Sequence, residues 1–118
     1  VIRVPLTIFM PQSDLFTPST LTVSELTQDI KTLLEGNFLD IRVEGEVSNA
    51  STSRSGHTYF TLKDEDAQLS CVIWSGVSRS IGTELVDGQH IIAGGDIQVY
   101  PPHGKYQLIV RSVTQAGK

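Results

Sequence analysis

The sequence predicts a mainly β domain: a small closed barrel of five strands in Greek-key order, preceded by one N-terminal α-helix. Three observations carry that prediction. The hydrophobic period changes from 3.6 to 2 after Gly36. Short alternating segments then follow one another across Gly- and Asp-rich turns, and the longest of them carry internal glycines where a barrel strand must bend. In order, Ser24 is the expected helix cap, Glu25 complements the helix dipole, and Leu26, Ile30, Leu33 and Leu34 recur at helical spacing, giving a helix over about 23–35 that ends at Gly36. Ile41, Val43, Gly45 and Val47 form the inward face of the first strand. Phe60 and Leu62 do so for the second, and Asp64-Glu65-Asp66 turns the chain. Leu69, Cys71 and Ile73 face inward on the third strand, and an irregular or helical piece covers 77–85. Asp87-Gly88 opens the fourth, where Ile91, Ala93, Gly95, Ile97 and Val99 share one parity. Pro101-Pro102-His103-Gly104 makes a hairpin loop, and the fifth strand runs from Lys105 to about Val113. Gly94-Gly95 suits a bend or bulge in strand four, and Gly45 suits one in strand one.

Composition limits the class. The chain has 118 residues, with Lys+Arg 9 against Asp+Glu 13 and a formal net charge of −4. That length permits one core and excludes a two-domain enzyme. Residues 21–118 are the expected domain, and residues 1–20 read as an extended arm that is flexible, appended to the natural chain, or laid along a sheet edge. The polar end at Gln115-Ala116-Gly117-Lys118 and the start at Val1 suggest a piece of a longer protein. No apolar run is long enough to span a bilayer, so no membrane partner is expected. The lone Cys71 and the absence of a signal peptide suggest the reducing cytoplasm. An acidic body restricts any nucleic-acid site to a local patch.

Barrels of this size and strand order are commonly OB-folds, which bind oligonucleotides or oligosaccharides on the face of strands two and three and in the neighbouring loops. Arg42, His57, Tyr59, Thr61 and Lys63 fall on the outward parity of strands one and two, with Arg54, His103, Lys105 and Tyr106 in flanking loops. Rings stack bases, and cations track phosphates. Tyr59 and Tyr106 read equally well as rim tyrosines capping the core, Trp74 reads better as packing, and Arg42 has Glu44 and Glu46 near it as ion-pair partners. Catalytic patterns are poor. Three consecutive acids suit a turn rather than a metal site, the histidines lack zinc spacing, Cys71 points inward, and no phosphate-cradling glycine loop is present, so neither a metal nor a cofactor is expected.

The motifs Leu21-Thr22-Val23-Ser24-Glu25-Leu26, Val43-Glu44-Gly45-Glu46-Val47-Ser48-Asn49, Ser55-Gly56-His57-Thr58-Tyr59-Phe60-Thr61-Leu62-Lys63-Asp64 and Tyr100-Pro101-Pro102-His103-Gly104-Lys105-Tyr106 together resemble the exodeoxyribonuclease VII large-subunit family. The resemblance covers about 21–117. It implies an N-terminal OB-fold that holds single-stranded DNA for a nuclease cleaving it into oligonucleotides. The catalytic and helical regions would lie outside this chain, which alone would be inactive, and copies of a small subunit would join the holoenzyme. One departure stands out. Where the family usually has an Arg-Gly-Arg-like pattern, this chain has Gly94-Gly95-Asp96, which would lower affinity and flatten its salt dependence if strand four met DNA. Two other readings compete: a protein-interaction or structural OB domain that orients the catalytic body, and, on fold similarity alone, a tRNA anticodon binder.

Overall fold

The structure, a computed structural model, describes residues 20–116. The expected arm lies outside the described residues except for Thr20. The described elements are helix α1 (Val23–Asn37), strands β1 (Ile41–Thr52), β2 (Thr58–Lys63) and β3 (Gln68–Ile73), a short helix α2 (Ser75–Ile81), then β4 (His90–Tyr100) and β5 (Lys105–Gln115). The strands close into a barrel in the order β1-β2-β3-β5-β4. All pairings are antiparallel except β3 with β5, a parallel join of two residue pairs, Cys71 with Leu108 and Val72 with Ile109.

The inward parity read for the first four strands is buried or half-buried around the observed core, to which β5 adds Leu108 and Val110. Val47, Leu62, Ile91, Leu108 and Val110 are at most 2% exposed, and each fully buried aliphatic side chain of this kind contributes about 1.5 to 3 kcal/mol. Cys71 is buried among them, and burial pushes its thiol up to about 12. The acidic run after β2 is a turn, as expected: the Asp64 carboxylate accepts from the backbone N–H groups of Asp66 and Ala67 at 2.8 and 2.9 Å.

Several boundaries differ from expectation. The cap of α1 is Thr22 rather than Ser24, because Thr22 Oγ1 accepts from the Glu25 N–H while Glu25 accepts from the Thr22 N–H, a reciprocal capping box. Gly36 lies within the last turn instead of ending it, and Asn37 Nδ2 donates to the Leu33 carbonyl at 2.7 Å. Asp87-Gly88 precedes β4 as a turn, although the Gly88 N–H still reaches Val47 O at 2.8 Å. Gly45 carries no bulge. Strand β1 instead gains its extra residue between Ser48 and Ser51, where Asn49 has φ 55°, and Gly45 is needed because a Cβ there would lie 2.9 Å from the Lys63 carbonyl oxygen. The irregularity at Gly94-Gly95 is real, but the extra residue belongs to β5: Gly94 pairs with Ser112 and Gly95 with Val110, leaving Arg111 unpaired.

Bulged Arg111 has a role. Its guanidinium bonds the Asp96 carboxylate and lies 3.3 Å from Asp40 Oδ1, while Asp96 also accepts from the Asp40 N–H at 2.7 Å. Beyond Gly95, β4 has β5 on one edge only, and the start of β1 no longer covers the other. The end of α1 does so instead. Phe38 O accepts from the Ile97 N–H at 2.9 Å, and Glu35 Oε2 accepts from the Val99 N–H at 2.9 Å while Lys31 holds the same oxygen at 2.7 Å. An otherwise open strand edge is thus satisfied.

Both carboxylates in this clamp titrate below their ordinary values. For Glu35, partial burial pushes upward, but the Lys31 and Val99 hydrogen bonds and the Lys31 charge outweigh it; for Asp96, the Asp40 N–H and then Arg111 pull it down. A depressed folded-state value contributes stability that is fully present above the ordinary carboxylate range and is lost as pH falls through the folded value. Melting temperature is therefore expected to fall below about pH 4. Glu35→Gln and Asp96→Asn should each flatten that descent, and an unchanged acid profile in both would refute the clamp.

Candidate nucleic-acid interface

Because Phe60 and Leu62 point into the barrel, Tyr59 and Thr61 point out. Thr61 stands opposite Ser70 on β3, and the β4–β5 connection folds beside them as a short 3-10 turn, Pro101–His103, ended by Gly104 in the left-handed region at φ 60°. Together these elements form a cleft of about 330 Å³ walled by Tyr59, Thr61, Ser70, Tyr100, Lys105 and Tyr106, with His103 at its edge. Its rings are exposed: Tyr59 is 42% accessible and Tyr106 55%. Tyr100 meets His103 edge to face at 5.0 Å.

The candidate residues fall into three places. Tyr59, Thr61, Lys105 and Tyr106 share the cleft. Arg42 and Lys63 lie instead along a second concavity of about 820 Å³, toward the start of β1 and the β2–β3 turn, and Tyr106 lines this one as well. Tyr106 is thus the common wall of both.

Arg54 and His57 belong to the β1–β2 loop. Arg54 is exposed there. His57 is held: Ser53 Oγ accepts from its N–H at 3.2 Å, its Nδ1 accepts from the Ser75 N–H at 3.0 Å, and its ring meets Trp74 edge to face at 5.0 Å and Tyr59 at 6.5 Å. An Nδ1 acting as acceptor places the proton of neutral His57 on Nε2. His57 therefore ties the loop to the start of α2 and stands beside Tyr59 rather than in the cleft itself. Trp74 is 39% exposed against that ring, so the packing expected of it is only partial.

Tyr100 and Ser70 are additions. Strand alternation would have found Tyr100, since an inward Val99 requires an outward neighbour at the lip of the loop.

Charge is segregated locally. Among the described residues, Lys31 and Arg111 are taken up in ion pairs, whereas Arg42, Arg54, Lys63 and Lys105 form none. Neither ion pair weighed for Arg42 is made: Glu44 Oε2 meets His90 Nε2 at 2.8 Å instead, and Glu46 forms no ion pair among the described residues. Asp96 is spent on Arg111 and Asp40.

Residues 21–114 match a family described as "OB-fold nucleic acid binding domain". The chain belongs to that family. Over 97 residues, 82% of the chain, this OB-fold domain is 44% identical to the exodeoxyribonuclease 7 large subunit of Helicobacter hepaticus, of which it covers 23%. It spans under a quarter of the length of such relatives, among them the 47% identical protein of Geobacter sulfurreducens, of which it covers 22%. The resemblance read from the motifs is thereby shown. Among solved structures, the second OB-fold domain of replication protein A from Methanococcus maripaludis superposes with a TM-score of 0.51 at 16% identity, covering 68% of this chain and 86% of that one. That likeness concerns the fold. No described helix is long and apolar enough to cross a membrane.

Proposed function

We propose that this OB-fold domain binds single-stranded DNA and presents it to the catalytic part of a longer nuclease of the exodeoxyribonuclease VII type, acting in the bacterial cytoplasm. The carrying observation is the co-location of exposed Tyr59, Tyr100 and Tyr106 with Lys105 in one cleft, beside Arg42 and Lys63, which form no ion pair among the described residues. Rings that stack any base and cations that meet phosphates recognise a single strand without reading sequence. The catalytic and helical regions of the large subunit, and the small subunit, are the partners this function implies.

The test is the salt dependence of binding. Replacing Arg42 and Lys63 by Ala is expected to reduce the slope of log affinity against log salt by about 0.7 per lost phosphate contact, leaving the fold unchanged because exposed cations contribute little to it. A folded double variant with the parent slope would remove both residues from the interface.

A second reading has its own observation. Val23, Leu26 and Ile30 leave an apolar stripe of α1 exposed, at 83%, 49% and 43%, and such a stripe suits a protein contact. Parent and variants that are folded but indifferent to single strands would favour this reading.

A further inference from the structure

The concavity of about 820 Å³ differs in kind from the cleft. Its floor and walls are the side chains that close this end of the barrel, Leu34, Phe38, Val43 and Leu69, with Arg42 and Lys63 beside them. The cleft presents hydroxyls and rings suited to stacking on one face, whereas this cavity offers apolar surface on several sides. Two acids also line it, yet both are engaged: Glu44 with His90, and Asp64 with the N–H groups of its own turn. Among the described residues, Arg42 and Lys63 are thus the charged groups around the apolar space that neither an ion pair nor a turn already holds. The cavity adjoins the cleft through Tyr106.

We infer that this cavity is a subsite for one unstacked base of a bound single strand. The base enters the apolar space, its flanking phosphates lie on Arg42 and Lys63, and Tyr106 separates it from the bases held in the cleft. An aromatic ring turned out of a single strand presents two apolar faces, which surrounding aliphatic and aromatic groups can cover, and its phosphates remain at the entrance. The inference rests on the DNA-binding function proposed above and adds a position to it.

The probe is an oligothymidylate of about eight nucleotides carrying one 2-aminopurine, placed at each position in turn and bound to the full chain. Expected is one position whose fluorescence rises on binding because its base leaves the stack, next to a position quenched by Tyr106. Ala67 is exposed and lines the entrance, so Ala67→Trp should block it without disturbing the core. It should abolish the rise and weaken binding roughly 5- to 150-fold, a loss as large as that of a base stacked on an aromatic ring, since burial in the cavity replaces the stack. Gln68→Trp, also exposed and lining the cavity, is the second blocking variant if the first does not fold.

Tyr59→Ala separates the possible failures. If it weakens binding while a folded blocking variant binds like the parent and no position brightens, the cleft holds DNA and the subsite is wrong. The cavity is then left to an apolar protein segment. If the parent binds no oligonucleotide at all, the proposed function falls, and the subsite with it.

Discussion

Gly95→Ala should cost about 3 kcal/mol or more, lowering the melting temperature of a domain this size by about 12 °C or more. The added Cβ would lie 1.9 Å from the Ile109 carbonyl oxygen and 2.8 Å from its carbon. Those are backbone atoms of a paired strand, so no side-chain rotation relieves the clash. They also sit beside the step where Arg111 bulges from β5, so pushing β5 away displaces the guanidinium that joins Asp96 to Asp40. Gly94→Ala provides the comparison. Its Cβ would meet the Ser112 hydroxyl at 2.5 Å, the movable end of a side chain, and the loss there should be much smaller. Thermal melts of the two variants decide the matter, and equal melting temperatures would show that the close approach to Ile109 does not constrain the barrel.

Tyr106→Ala is the second large effect. Because this ring walls both the cleft and the apolar cavity, its loss should weaken single-strand binding by about 1 to 3 kcal/mol, a factor of roughly 5 to 150. The salt slope should hardly change, since stacking releases few counterions. Tyr106→Phe keeps the ring and should retain most of the affinity. At 55% exposure Tyr106 contributes little to the core, so the variant should stay folded. Unchanged affinity in a folded Tyr106→Ala protein would place the bound strand elsewhere.

What the sequence revealed of this molecule follows from how local each signal is. The inward parity of β1 and β4 was readable because alternation is set residue by residue, and the closed order followed from the number, length and glycines of the strands. The capping box of Thr22 and Glu25 is equally local, yet the expectation fell on Ser24, because the reciprocal spacing to Glu25 was not used. Other features depend on distant partners. Val72 and Ile109 have the outward parity yet are 0% and 8% exposed, and they face each other across the parallel join, which no local pattern announces. The fixing of His57 by the Ser75 N–H spans 18 residues. Likewise, the separation of Arg42 and Lys63 from the tyrosine cleft is a matter of position along the barrel axis, which strand parity does not encode.

The parallel join of β3 to β5 has a consequence for motion. Two residue pairs hold it, against ten between β4 and β5, so it is the narrowest seam of the closed sheet and the place where the barrel parts at least cost. The cleft crosses that seam, taking Ser70 from β3 and Tyr106 from β5. A strand of DNA lying in it touches both banks. Its binding energy then also opposes opening, and amide exchange at Val72 and Ile109 should slow when an oligonucleotide is bound. The ligand becomes a stitch in the wall that holds it.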